Sequence, residues 1–308
     1  MHGKPFGNIE SLEPDRAGRA RIRGAQPLKV VRMGLLLFSI PIGGITLYVV
    51  GVLATLPSVD FLADEDPIRT AYMARHAAEA GLPPDAYRTS WTNLDDISRV
   101  LVQSIIEAED SRFYRHEGVY WRGTRKATQR YLTGQATGGA STITQQLARN
   151  LFLHSNRSPH RKVREILLAM RLERTLPKAR ILELYVNVIE WGDGIWGIGP
   201  AAGHYFDTTP RQLGVLESAF LASIVPAPRR ALSGDNLERA LRVQERVLDQ
   251  LRESGKIRDS EWNDVTARLF GLQVALATGH ELPDTRSRPL PIALESDRRS
   301  GTAQQPGC

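Results

Sequence analysis

An all-α fold, a mostly helical domain carried behind one transmembrane helix, is predicted by three features of the sequence. From Met33 to Leu56, 24 residues pass without a charge. Between about Asp95 and Phe270, apolar residues recur at spacings of three and four, the period of helices with one buried face. Alternating, strand-like runs are scarce over the same stretch.

The uncharged run MGLLLFSIPIGGITLYVVGVLATL is long enough, at about 1.5 Å per residue, to cross a hydrocarbon core of about 30 Å. Pro41, Gly43 and Gly44 interrupt it, which membrane helices tolerate. A core helix rarely runs so long without a polar face. A cleaved signal peptide carries a shorter apolar region, and Val52-Leu53-Ala54 is a weak cleavage match. Residues 1–32 hold seven cations against Glu10, Glu13 and Asp15, whereas Asp60, Asp64, Glu65 and Asp66 precede the first arginine beyond the span, Arg69. That asymmetry keeps the N-terminal tail in the cytoplasm and sends the rest outward.

The segment 57–90 is then expected as a membrane-proximal linker, 91–270 as the folded domain, and 271–308, rich in Gly, Pro and charge, as a disordered tail. Within the domain, Ile97, Val100, Leu101, Ser104, Ile105 and Ala108 stripe a first helix. Ile143, Leu147 and Leu151 stripe a second. Val163, Ile166, Leu167 and Met170 mark a third, stopped by Pro177. Ile181, Leu182, Leu184, Tyr185 and Val188 mark a fourth. Leu216, Ala219, Phe220 and Ser223 give a fifth, ending at Pro226-Ala-Pro228. Asn236 to Leu251 gives a sixth, capped by Gly255. There is no internal repeat.

Of the 308 residues, 42% are hydrophobic and 24% charged, enough apolar material for a core and too little bias for wholesale disorder. Forty Lys and Arg against 34 Asp and Glu leave a net charge of +6. On the outer side of a membrane that charge suits anionic lipids rather than nucleic acid. The single cysteine, Cys308, excludes an intramolecular disulfide and a cysteine-built zinc site.

Three polar clusters carry candidate chemistry. The first, Glu107-Ala-Glu-Asp-Ser-Arg-Phe-Tyr-Arg-His-Glu-Gly118, places carboxylates and a histidine at the end of the first helix. The negative end of the helix dipole there favours a raised carboxyl pKa, as a general base working near neutral pH requires. Read alone, the cluster is a solvated acidic helix end, and His116-Glu-Gly118 lacks the two-histidine zinc pattern. The second, Gly138-Gly-Ala-Ser-Thr-Ile-Thr-Gln-Gln-Leu-Ala-Arg-Asn150, is a glycine turn with Ser141 or Thr142 at an N-cap. Thr142, Gln146, Arg149 and Asn150 share one polar face, suited to a sugar or phosphate or simply to water. The third, Arg161-Lys-Val-Arg-Glu165, joins cations to a carboxylate three and four residues away. That pattern fits a pyrophosphate site or an ordinary surface ion pair worth about 0.3–0.5 kcal/mol.

Gly192-Asp-Gly194-Ile-Trp-Gly197, with Glu217 twenty residues on, spells a dinucleotide fingerprint. The fingerprint needs a buried strand before it and a helix straight after. Here a helix, Ile181–Val188, precedes it, and Ile198-Gly-Pro200 is not expected to open a helix, so the reading is rejected.

Together the clusters resemble, in order and spacing, the peptidoglycan glycosyltransferases, lysozyme-like enzymes that polymerise lipid II. Glu109-Asp110-Ser-Arg-Phe113 with His116 and Gly118 matches the first motif of that family. Gly139-Ala-Ser-Thr-Ile-Thr-Gln-Gln-Leu147 with Asn150 matches the second, and Arg161-Lys162 with Glu165 the third. Lys178-Ala-Arg-Ile-Leu-Glu183-Leu-Tyr185-Val-Asn187 matches the fourth, and Gly197-Ile-Gly-Pro-Ala-Ala202 with Tyr205-Phe206 the fifth. The likeness covers about residues 90–230. Arg149 stands where lysine is common, Val186 where leucine is usual and Asp207 where glycine is usual.

The resemblance implies a lysozyme-like domain of the monofunctional, membrane-anchored kind, since 38 residues follow Phe270 and no S-x-x-K nucleophile motif is present. It implies Glu109 as general base on the acceptor's 4-hydroxyl and inversion to a β-1,4 link. Arg161, Lys162 and Arg149 would meet the leaving pyrophosphate, with Mg²⁺ or Mn²⁺ near Asp110 or Glu165. Glu165 would orient these cations or hold the metal or the second sugar. Ser141, Thr142, Gln145, Gln146 and Asn150 would position sugars. Asp110, Phe113, His116, Lys178, Glu183 and Asn187 complete the substrate-binding set. No organic cofactor is expected. The partners are lipid II, the growing lipid-linked glycan, membrane lipids and cell-wall synthesis or division proteins, at the periplasmic face of a bacterial inner membrane. Two rivals stand beside this reading: a lytic or hydrolytic peptidoglycan-cleaving enzyme, which needs a protonated acid rather than a cationic nest, and a non-catalytic wall-synthesis scaffold.

Overall fold

The structure is a computed structural model and describes residues 27–134, 141–153 and 158–278. Residues 1–26 of the expected cytoplasmic tail, Gly138–Ala140 of the second cluster and residues 279–308 of the expected C-terminal tail lie outside the described residues. The chain divides into two units, one up to Thr55 and one from Leu56 onward.

The first unit holds one helix, α1 (Pro27–Ala54), over the run read as an anchor. Ile42, Ile45, Leu47, Val50 and Leu53 on it are exposed. Among the described residues, no helix is long and apolar enough to cross a membrane.

Among the described residues the second unit is mostly helical, as the stripes require. Its helices are α2 (Ala71–Glu79), α3 (Arg99–Glu109), α4 (Trp121–Leu132), α5 (Ile143–Phe152), α6 (Pro159–Thr175), α7 (Lys178–Val188), α8 (Ile198–Phe206), α9 (Val215–Ile224), α10 (Asp235–Glu253) and α11 (Asp259–Thr278). The centre is α9. All ten of its residues are buried, the pattern of a helix enclosed on every side. It packs against α3 and α10, joining Val100 of α3, Val215, Leu216 and Ala219 of α9, and Val247, Leu248 and Leu251 of α10 in one apolar cluster. A second group packs α5 against α6, α7 and α2. The two groups meet near the end of α3, where the first polar cluster falls.

Local chemistry explains the boundaries. Ser158 caps α6 by accepting from Arg161 N at 3.1 Å, with Pro159 at the first helical position. Pro177 follows the last turn of α6 and precedes α7. At the end of α10, Gly255 takes φ +69°, with Lys256 N bonded to Leu251 O at 2.8 Å and Gly255 N to Arg252 O at 2.9 Å. Those two bonds form a Schellman closure.

Four differences from the sequence reading have physical causes. The 57–90 segment, expected as a linker, is part of the packed unit: Val59, Leu62, Met73 and Ala77 are buried. Arg180 ties that segment down by donating to Leu62 O, Glu65 O and Asp66 Oδ1. The tail expected from 271 is helical as far as Thr278. Ile198-Gly-Pro200 does open a helix, α8, because a proline in the first turn removes an N–H that has no helical partner there. The glycine-rich run before it is a hairpin of β1 (Glu190–Gly192) and β2 (Ile195–Trp196), antiparallel, so a dinucleotide βαβ unit is absent among the described residues. Asp207, where glycine is usual in the resembled family, ends α8 in the left-handed region at φ 47°, a conformation Asp tolerates better than most residues.

Candidate active site

Glu109 is the last residue of α3 and opens on a pocket of about 250 Å³. Burial raises its carboxyl pKa above the ordinary value. The Gln146 amide and Arg149 pull it down, and Asp110 adds a smaller push upward. The direction agrees with the sequence expectation, but the leading cause is desolvation rather than the helix dipole. Gln146 Nε2 donates to Glu109 Oε2 at 2.6 Å, and Tyr185 Oη donates to Gln146 Oε1 at 2.8 Å. Tyr185 is fully buried, and burial holds its phenol well above its usual pKa, so it stays a donor. Its hydroxyl therefore fixes which end of the Gln146 amide faces the carboxylate. The apolar stripe marked Tyr185 as core, and nothing in the stripe announced this second duty.

Asp110 lines the same pocket but is engaged within the protein. Its Oδ2 accepts from Ile143 N at 3.1 Å and faces His116 Nε2 at 2.9 Å, joining the first cluster to the first turn of α5. Phe113 is fully buried, with Lys178 Nζ 4.2 Å from its ring centre. The same Nζ donates to His116 O at 2.8 Å and Glu173 Oε1 at 2.7 Å. Thr142 and Gln145 form a capping box that starts α5, and Thr142 Oγ1 also donates to Gly118 O at 2.6 Å. Gly118 must be glycine: φ is +82°, and a Cβ would sit 2.8 Å from Ala169 O. Asn187 is buried and exchanges bonds with the backbone of Thr92, and Glu183 accepts from Leu94 N at 2.9 Å. Asn150 donates to Gln146 O at 2.8 Å. These side chains hold the site's framework together.

The third cluster lies on the first turns of α6. Glu165, 1% exposed, is bonded by both Arg161 and Lys162, and Lys162 Nζ also donates to Ser141 Oγ at 3.0 Å. Three formal charges thus sum to +1, and neither Glu165 oxygen is left without a cation. The carboxylates expected to hold a metal are both engaged: Asp110 by His116 and Ile143 N, Glu165 by two cations. Neither arrangement resembles a protein cage for a divalent ion. Among the described residues, one triad has ligand geometry, His76, Glu190 and Asp193, with ligand atoms within 4.8 Å of one another. Arg229 Nε already donates to both Glu190 oxygens at 2.9 Å.

Ser141 and Thr142 line the Glu109 pocket, as does Arg112 of the first cluster; Tyr120, Gly123, Lys126 and Arg130 line it too and were not singled out from the sequence. The available signal was the absence of any acid from α4, WRGTRKATQRYL.

Comparison with known proteins supplies the context for this geometry. A family model described as Transglycosylase matches residues 77–252. The chain is 44% identical over 167 residues to a biosynthetic peptidoglycan transglycosylase of Laribacter hongkongensis, covering 53% of this chain and 73% of that one. It is 42% identical over 179 residues to one from Bordetella pertussis, covering 56% and 74%. It is 38% identical over 200 residues to one from Chromobacterium violaceum, covering 64% and 88%.

Proposed function

Because the chain belongs to the Transglycosylase family, whose named relatives are peptidoglycan transglycosylases, we propose that this glycosyltransferase polymerises lipid II by direct inversion with Glu109 as general base. The acceptor's 4-hydroxyl is far too weak an acid to attack unaided. Its proton passes to Glu109 as the oxygen attacks the donor's anomeric carbon from the face opposite the pyrophosphate. One C–O bond forms, another breaks, and the electron pair leaves on undecaprenyl pyrophosphate. The observation that carries this reading is the desolvated Glu109, which accepts from one neutral amide, feels the charge of Arg149 and opens on a pocket. A base needs a carboxyl raised towards working pH but kept ionisable. Burial supplies the first, and Gln146 and Arg149 the second.

Arg149 and the Arg161–Lys162–Glu165 group stabilise charge developing on the leaving diphosphate. Ser141 and Gln146 orient the sugars, and the framework residues act through them. A divalent ion does not fit Asp110 or Glu165 as they are engaged. In this reading Mg²⁺ or Mn²⁺ travels on the substrate's diphosphate, and no step depends on it.

Both substrates end in long lipid tails, so the active site works at a bilayer surface. The uncharged run 33–56 and the exposed apolar residues of α1 support a single-pass anchor with the N-terminus cytoplasmic and the enzyme periplasmic. The testing experiment gives labelled lipid II and a divalent cation to detergent-solubilised full-length protein and to Glu109→Gln. Long glycan from the native protein alone supports the proposal. Cleavage of isolated sacculi with no polymer would replace it by the hydrolytic reading, and inactivity on both by the scaffold.

A further inference from the structure

The short segment that begins at Leu56 is fastened to α6 and α7, the helices that carry Glu165 and Tyr185, by two arginines. Arg171 of α6 donates from Nη1 to Pro57 O at 3.0 Å, with Leu56 O at 3.5 Å. Arg180 of α7 donates from Nε to Leu62 O at 2.9 Å, and from Nη2 to Glu65 O at 2.9 Å and Asp66 Oδ1 at 2.8 Å. Its Nη1 bonds Glu183, and its guanidinium lies 5.1 Å from the centre of the Trp91 ring. The fork is thus filled at all three nitrogens, and the side chain is 15% exposed. Four of the acceptors, at Leu56, Pro57, Leu62 and Glu65, are backbone carbonyls. The two arginines therefore hold the path of the chain rather than particular side chains. Along that path Val59 and Leu62 are fully buried.

Left free, a flexible segment of about ten residues lets its ends wander over roughly 15–20 Å, at about 5–6 Å times the square root of the residue number. That spread is a large part of a hydrocarbon core of about 30 Å. Substrates with long lipid tails are confined to the bilayer, so an enzyme wandering over that range meets them at a lower effective concentration. We propose that Arg171 and Arg180 are positioning residues: they fix, on the second unit, the point from which the chain leaves for the bilayer, and so keep the active site within reach of lipid-borne substrates. The proposal rests on the single-pass anchor and lipid-linked substrates of the polymerase reading. It adds two residues that lie outside both the Glu109 pocket and the Arg161–Lys162–Glu165 group.

The experiment compares full-length native protein with Arg171→Gln and Arg180→Gln, each in proteoliposomes and in detergent micelles, with lipid II as substrate. Arg171→Gln is the milder change, since it removes bonds to two carbonyls only. Arg180→Gln leaves Glu183 with Leu94 N as a partner. Should it fail to fold, Arg171→Gln alone decides. In micelles there is no common plane for the tie to act on. Expected is a KM for lipid II raised about 3–10-fold in proteoliposomes at little-changed kcat, with both constants within about twofold of the native protein in micelles. A loss of equal size in both media would overturn the proposal and leave the arginines as ties of the fold alone. An unchanged KM in proteoliposomes would overturn it as well. Failure of the reading beneath it shows separately, in the native protein: no flotation with the liposomes would sink the anchor, no polymer in either medium would sink the polymerase, and either would take the proposal with it.

Discussion

Glu109 at the end of α3 and Glu165 on the first turns of α6 are the same side chain in two neighbourhoods. Glu109 accepts from one neutral amide and loses water without gaining a bonded cation, so its carboxyl is pushed up. Glu165 is nearly inaccessible, yet Arg161 and Lys162 both reach it. The first is held short of electrostatic comfort and keeps an appetite for a proton. The second is neutralised and serves as an anchor for cations. Burial alone does not make a base; burial with too little compensating charge does.

Exchanging charge for an isosteric amide at each position breaks the comparison most sharply. Glu109→Gln should lower glycan synthesis by roughly 10³-fold, within the range of about 10²–10⁴ for losing a general base, with lipid II binding retained. Loss below tenfold would remove Glu109 from the proton transfer. Glu165→Gln should act first on stability, because it leaves two cations converging on a neutral amide. Removing one partner of a buried pair costs about 3–5 kcal/mol. Lys162 is 36% exposed and lets water screen part of that, so about 2–3 kcal/mol is expected in urea unfolding, partly recovered at high salt. An unchanged midpoint would mean that Glu165 is not an anchor and would return it to the list of groups that touch substrate.

How far the sequence reached follows the same division. The helices were legible because apolar stripes are local: those read for α3, α5, α6, α7, α9 and α10 all correspond to helices. Helix α4 escaped because a basic face on a short helix leaves no apolar stripe, and α8 because Gly199 and Pro200 look like breakers until their place in the first turn is known. The 190–196 hairpin escaped because two short strands cannot establish a period of two. In the site, residue type and order singled out Glu109, Gln146 and Glu165. The sequence offered Thr142 as one of two N-cap candidates, but could not say that Asp110 and Lys178 turn into the framework or that Thr142 also reaches Gly118 O, since such contacts join residues as far as 24 apart. Tyr185 was written as core, and its hydroxyl gains a meaning only when α7 is set beside α5.

Tyr185 gives a finer test of what keeps Glu109 ionisable. Tyr185→Phe removes one oxygen and leaves the ring in place. Gln146 can then turn its amide and offer a carbonyl oxygen to the carboxylate, which disfavours ionisation. The expected result is about a tenfold loss in kcat, KM nearly unchanged, and an acidic limb of the rate profile displaced to higher pH. A purely packing role would lower the melting temperature and leave that limb where it was.

The smallest effect concerns stability against pH, where Glu109 and Glu165 should again part. A carboxyl whose pKa is raised by folding binds its proton more tightly in the native state than in the unfolded one. Between its ordinary value of 4.5 and its raised native value, the native state holds more protons, so stability falls as pH rises through that window. Above the window the ionised, desolvated Glu109 is a fixed destabilising burden. Glu109→Gln removes both, so the variant should unfold at higher urea than the native protein at pH 7. The two should converge below pH 4.5, where both carry a neutral group at this position. Glu165→Gln should be the less stable protein at neutral pH. If Glu109→Gln is destabilised at neutral pH as well, the site has enough positive charge to stabilise the ionised carboxylate. The contrast between the two glutamates would then dissolve into a single cationic cleft.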